Sequence, residues 1–165
     1  MARLRLLQGR ADEALVLADQ AHAAVQAVSG KVGKARLELL LGASQISAKQ
    51  PDEAIATLQS AVKALATFQS PQSFERAEAQ LWLGKALVEA GRLQEAQVQL
   101  GEATNIWQTS DPRHKLAARS ALMHAVVLRM TNQTNEAQNL AAKALPLLLN
   151  STHPEDRKIV ATWER

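Results

Sequence analysis

The stretch that decides the fold runs from Ala77 to Ala96 and reads AEAQLWLGKALVEAGRLQEA. Its apolar side chains recur every three or four residues as far as Ala90, and a second pattern of the same kind starts at Leu93. This spacing puts the apolar residues on one face of an α-helix, and Gly91-Arg92 between the two segments is typical of a turn. The stretch therefore predicts a helical hairpin.

The same hairpin pattern returns along the whole chain. A Glu-Ala pair follows each predicted turn, with its alanine at Ala14, Ala54, Ala96 and Ala137, which are 40, 42 and 41 residues apart. Seven residues after each of these alanines comes another, and a serine closes each unit at Ser29, Ser70, Ser110 and Ser151. Three landmarks with one period indicate an internal repeat of about 41 residues.

The composition fits helices alone. Hydrophobic residues make up 47% of the 165 positions, but only 3% are aromatic, and the chain has 7 glycines and 5 prolines. Strands need aromatic and β-branched side chains, so we predict an all-α fold. The chain has no cysteine, hence neither disulfides nor thiolate metal sites, which is consistent with a cytoplasmic location. It has no apolar run long enough to span a membrane, and a formal charge of +3 is too small to indicate nucleic-acid binding.

We predict helix pairs for four hairpins and the start of a further helix. Pro146 lies inside an apolar run, so the helix that contains it should kink or end there. The predicted helices span residues 1–8 and 11–28, 31–48 and 52–69, 72–90 and 93–109, 113–131 and 135–149, with a last helix from Pro154. They form one repeat domain with hairpins at about 1–29, 30–70, 71–110 and 111–151 and the start of the further helix in 152–165.

The residues of the third hairpin resemble the tetratricopeptide repeat consensus without a gap. Leu83-Gly84 matches its Leu-Gly pair, Gly91 its turn glycine and Ala96 its characteristic alanine. The fourth unit departs from the consensus, because His124-Ala125 replaces Leu-Gly. The period is longer than the 34 residues of ordinary tetratricopeptide repeats and is similar to the variant of kinesin light chains and many bacterial regulatory proteins. The resemblance implies a right-handed α-solenoid of antiparallel hairpins.

The resemblance also implies where a partner would bind. In this family the first helix of each hairpin lines a concave groove, and the matching positions carry a basic excess beside apolar residues, which favours a protein or peptide of acidic and apolar character. Longer helices could instead turn some of these positions into the core. The candidate groove residues are Arg36, Leu39, Ala43, Ile46, Glu78, Leu81, Lys85, Val88, Glu89, Arg119, Leu122, Val126 and Arg129.

Other kinds of site find little support in the sequence. The four histidines have no partner at metal-ligand spacing, and no cofactor motif or catalytic arrangement is legible, so we expect no metal, no cofactor and no enzymatic activity. His124 is expected to be a half-buried histidine bonded to a neighbouring helix, and Trp82 and Trp107 to be core residues. Tetratricopeptide domains that bind the acidic C-terminal tails of chaperones resemble one another in a set of Lys and Asn residues along the groove. The corresponding positions of this chain mostly lack these residues.

These patterns predict a protein-interaction scaffold within a larger bacterial signalling or regulatory protein. The alternative is a ligand- or peptide-sensing module of a transcription regulator. Because Met1 falls in the middle of a predicted helix, we expect a fragment whose N-terminal edge, with Leu4, Leu6 and Leu7, self-associates weakly or frays.

Overall fold

A computed structural model describes residues 10–25 and 30–165. Where a predicted helix end falls among these residues, it lies within two residues of the observed one. The predicted N-terminal edge, with Leu4, Leu6 and Leu7, lies outside the described residues. The helices are α1 (Ala11–Val25), α2 (Lys31–Ser47), α3 (Pro51–Phe68), α4 (Phe74–Glu89), α5 (Leu93–Ser110), α6 (Lys115–Met130), α7 (Thr134–Leu148) and α8 (Pro154–Trp163).

The helices form a right-handed solenoid of antiparallel hairpins, and no strand occurs in the described residues. The predicted fold class is therefore confirmed. The first helices of the hairpins are α2, α4 and α6, and the second helices are α3, α5 and α7. The helix α8 follows in the position of a first helix, but it packs more on α6 than on α7.

Small residues allow the two helices of a hairpin to approach closely. Ala54, Ala96 and Ala137 are completely buried. A Cβ atom on Gly42 would stand 2.4 Å from Leu58 Cγ, and one on Gly84 would stand 2.5 Å from Leu100 Cγ. The glycine of each Leu-Gly pair thus receives a leucine from the second helix, which explains why that position carries no side chain.

The turns inside the hairpins share one backbone feature. Lys49, Gly91 and Asn132 have φ angles of 65°, 75° and 64°, in the left-handed region. This conformation ends the first helix and costs a non-glycine residue energy, although asparagine tolerates it better than lysine. The helix α7 runs through Pro146 and ends at Leu148, two residues later than the proline alone would suggest.

Three stacked rings join successive hairpins at one edge of the solenoid. The centroid of the Trp107 ring lies 4.9 Å from that of Phe74 and 4.8 Å from that of His114, and the planes are within 8° of parallel. Phe74 begins α4, Trp107 is near the end of α5, and His114 accepts a hydrogen bond from Leu116 N–H as the N-cap of α6. Trp107 is 2% exposed, as expected for a core residue.

No described helix combines the length and apolar character needed to cross a membrane.

Candidate functional site

A cavity of about 380 Å³ lies on the inner surface of the solenoid. All of its lining residues come from first helices, from α8, or from the N-cap residues directly before α6 and α8. Four successive units therefore contribute to one concave surface. The lining residues are Arg36, Leu39, Leu40, Ala43 and Ser47 from α2, Glu78 and Trp82 from α4, His114, Leu116 and Arg119 at α6, and His153 and Glu155 at α8.

Five of the candidate groove residues meet in this cavity. They are Arg36, Leu39, Ala43, Glu78 and Arg119. The other eight do not line it: Ile46, Leu81, Lys85, Val88, Glu89, Leu122, Val126 and Arg129.

Four apolar candidates are core residues. Ile46 and Leu81 are 1% and 2% exposed and belong to a core cluster with Leu58 and Leu100 of the second helices. Leu122 and Val126 are 0% and 4% exposed and belong to a cluster that includes Ile159 of α8. Because neighbouring helices cover these side chains, they offer no surface to a partner, and the consensus-based assignment has to be corrected here.

Two basic candidates face α8. The Lys85 ammonium donates a hydrogen bond to Glu155 and lies 5.1 Å from the Trp82 ring centroid. Burial lowers the pKa of Lys85, although the carboxylate of Glu155 opposes this. Arg129 donates to the carbonyl oxygens of Thr162 and Trp163 at 2.9 and 2.6 Å. These cations therefore bind the last helix.

Arg119 makes the most buried ion pair of the concave surface. Its Nε donates to Asp156 Oδ1 at 2.7 Å, and its Nη2 lies 3.2 Å from His153 Nδ1. Asp156 is completely buried and also accepts from the Ser151 hydroxyl at 2.6 Å. Burial raises the pKa of Asp156, but the hydrogen bonds from Arg119 and Ser151 outweigh it, so the pKa lies below its usual value.

Among the basic candidates that form ion pairs, Arg36 is the most accessible. Its Nη2 donates to Glu75 Oε1 at 2.6 Å, and its side chain is 59% exposed, against 9% for Lys85 and 11% for Arg119. The basic excess expected from the candidate residues is thus compensated. Acidic residues at the start of α4 and α8, which do not belong to the candidate set, supply the balancing charge.

Several lining residues were not among the candidates. Trp82 was expected in the core but is half-buried and lines the cavity. His114 and His153 stand directly before their helices, and each accepts a backbone N–H through its Nδ1. A polar residue just before a helical pattern is a readable N-cap signal. Glu155 lines the cavity because the array of helices curves, and no local pattern in the sequence indicates this position.

His124 lies on α6, outside the concave cavity. His124 is half-buried as expected, but its Nδ1 is buried without a hydrogen-bond partner, so the expected bond to a neighbouring helix is not made through this atom. Within residues 10–25 and 30–165, no three His, Asp or Glu side chains are grouped as metal ligands would be.

Comparison with known proteins points to one repeat class. Residues 75–150 match the tetratricopeptide repeat family. No curated protein sequence matches the chain.

Solved structures with the same fold cover almost the whole chain. A Podosopora anserina protein described as a kinesin light chain with nearly identical tetratricopeptide-like repeats superimposes with a TM-score of 0.78 at 21% identity, covering 98% of this chain and 79% of that one. BtubC (BKLC) from P. vanneervenii gives a TM-score of 0.75 at 17% identity, covering 99% of this chain and 71% of that one. At these identities the likeness concerns the fold. Residues 75–150 thus match the tetratricopeptide repeat family, and the chain as a whole has a fold similar to that of kinesin light chain repeats.

Proposed function

We propose that the chain is a scaffold module that binds a short segment of a partner protein in its concave cavity, within a larger bacterial signalling or regulatory protein. Tetratricopeptide repeats are in general non-enzymatic modules for protein–protein interaction. The observation that carries the proposal is the cavity of about 380 Å³ to which four successive units contribute. A surface assembled from several repeats suits an extended or helical peptide.

The lining residues suggest the chemistry of the segment. Leu39, Ala43 and Leu116 give the cavity apolar surface, and the half-buried ring of Trp82 lies beside them. Arg36 remains largely exposed and can donate hydrogen bonds to a second carboxylate besides that of Glu75. We therefore propose a segment that inserts an apolar side chain into the cavity and places an acidic group near Arg36.

A peptide library displayed against the intact chain tests this proposal. Selected peptides should combine apolar and acidic residues, and Leu39→Asp should abolish their binding. Arg36→Glu should weaken them by roughly tenfold, the usual effect of losing a charge-assisted hydrogen bond. Val98→Asp and Arg92→Glu are matched controls on exposed positions outside the cavity. Equal binding to wild type and Leu39→Asp would move the site away from the concave surface.

A sensing module of a transcription regulator is the second candidate. It is favoured by the ion pairs Arg36–Glu75, Lys85–Glu155 and Arg119–Asp156, which join different first helices around the cavity. A ligand that replaces one of these contacts would change the pitch of the superhelix. Small-angle scattering with a selected peptide separates the two candidates, since a sensor changes its radius of gyration on binding and a rigid scaffold keeps it.

A further inference from the structure

Two successive grooves run between the second helices. The first lies between α3 and α5 above α4, with a volume of about 300 Å³, and the second lies between α5 and α7 above α6, with about 290 Å³. Seven lining positions correspond through the repeat, at separations of 41 or 42 residues. The corresponding pairs are Gln59 and Gly101, Val62 and Thr104, Lys63 and Asn105, Leu83 and His124, Glu95 and Glu136, Val98 and Asn139, and Gln99 and Leu140.

The two grooves differ in chemistry although their framework is the same. Three of the corresponding residues in the first groove are apolar: Leu83, Val62 and Val98. The residues at these three positions in the second groove are all polar: His124, Thr104 and Asn139. Since the repeat places apolar residues at these positions one unit earlier, the fold itself does not require the polar lining.

His124 stands where the preceding repeat has Leu83, and the histidine is energetically less favourable at this position. Burial lowers the pKa of His124, and the nearby Glu136 only partly opposes this, so the ring is neutral at neutral pH. Its buried Nδ1 has no hydrogen-bond partner, which is unfavourable compared with leucine. Across the groove, Gly101 stands where the first groove has Gln59. The position of a Cβ on Gly101 lies 3.7 Å from His124 Nε2, so the absence of a side chain leaves this edge of the ring open to the cavity.

The second groove also carries one charge of each sign. Glu136 and Lys143 lie on α7 seven residues apart, about 10 Å along the helix axis. Neither makes an ion pair with another described residue. The side-chain amides of Asn105 and Asn139, which line the same groove, offer hydrogen-bond donors and acceptors.

We propose that the groove between α5 and α7 binds a dipeptide-sized zwitterion. Glu136 takes the ammonium group, Lys143 takes the carboxylate, and Asn105, Asn139 and His124 Nε2 bind the peptide group between them. An extended dipeptide spans at most about 7 Å, and the flexible Glu and Lys side chains close the remaining distance. The volume is near the lower end for ligand pockets, which suits so small a molecule. This site is separate from the concave cavity and does not depend on its function.

Nuclear magnetic resonance of the intact chain tests the proposal, with glycylglycine and glycylglutamine as probes. Binding should shift the resonances of Gly101 and His124, and N-acetylglycylglycine amide, which lacks both charges, should not. The exposed variant Lys143→Gln should weaken binding by roughly tenfold or more. Lys63→Gln, in the first groove, should leave it unchanged.

His124→Leu and Gly101→Gln transfer the lining of the first groove to the second. They should abolish the ligand-induced shifts of the Asn105 and Asn139 side-chain amides, which both variants retain, while far-ultraviolet circular dichroism remains that of the wild type. The proposal is overturned if neither dipeptide shifts these resonances at millimolar concentration, or if the capped peptide binds equally well.

Discussion

Arg119 and Asp156, 37 residues apart, form a buried ion pair with a distance of 2.7 Å between Nε and Oδ1. Asp156 is completely buried, and the pair connects α8 to α6. A buried pair contributes modestly compared with apolar packing, but removal of one partner leaves an uncompensated charge. The attachment of α8 should therefore be sensitive to a single substitution.

Asp156→Ala should release α8, with a loss of roughly 3–5 kcal/mol in the free energy of its local unfolding, because Arg119 is left buried and unpaired. Hydrogen exchange of the α8 amides measures this free energy. Arg157→Ala, at an exposed position of the same helix, is the matched control and should have little effect. Unchanged protection of α8 in Asp156→Ala would show that the apolar contacts of Ile159 and the hydrogen bonds from Lys85 and Arg129 hold the helix without this ion pair.

Acid should weaken the docking of α8 in two steps. Burial, and then the charge of Arg119, lower the pKa of His153 below its usual 6.5, and the hydrogen bonds of Asp156 lower its pKa below 3.8. Each lowered pKa gives stability that is present above the unfolded-state value and is lost as the pH falls through the folded-state value. The protection factors of the α8 amides, corrected for the intrinsic exchange rate at each pH, should thus fall first below about pH 6.5 and again below about pH 4.5, where Glu155, whose pKa is lowered by Lys85 against the effect of burial, and then Asp156 are protonated. His153→Gln should remove the upper step alone, and a single step in the wild type would contradict this assignment.

Gly84→Ala and Gly101→Ala should change stability in opposite directions. A Cβ on Gly84 meets Leu100 Cγ at 2.5 Å, so the overpacked interface should lose about 1–3 kcal/mol. A Cβ on Gly101 meets only the His124 ring at 3.5 Å, and alanine there should stabilise helix α5 by about 0.5–1 kcal/mol. Urea denaturation measures both variants. A stabilising Gly84→Ala would contradict the close approach of α4 and α5.

Replacing Lys49 or Asn132, the two non-glycine turn residues with a left-handed backbone, by glycine should raise the stability by different amounts. Lys49→Gly should raise stability by about 1 kcal/mol, because lysine pays a steric cost at a φ angle of 65°. Asn132→Gly should raise it less, since asparagine tolerates this region. Thermal melts of the two variants and of the reverse change Gly91→Lys, which should destabilise, provide the comparison. Equal melting temperatures for all three would show that the turns relax freely.

The helices could be predicted from the sequence because their signals are local. Ala54, Ala96 and Ala137 mark the hairpin contacts, and Gly91 marks a turn, without reference to distant parts of the chain. The concave surface depends instead on how successive units are rotated. Lys85 and Glu155, 70 residues apart, are brought together by the curvature of the array, which no local pattern encodes. The same rotation leaves Trp82 at the cavity and turns Leu81 into the core.

The groove between α5 and α7 shows a second limit of prediction from the consensus. His124 is visible in the sequence as a departure from Leu-Gly, but its open groove depends on Gly101, which lies on another helix. The two residues can be connected only when the helices are placed side by side.

The stacked rings of Phe74, Trp107 and His114 bridge three helices that belong to two successive hairpins. Aromatic rings in parallel contact couple their electronic transitions, and the coupling changes when the rings slide. The near-ultraviolet dichroism of Trp107 should therefore act as an intrinsic optical readout of the angle between these hairpins. Bending of the solenoid can then be followed in solution without any attached label.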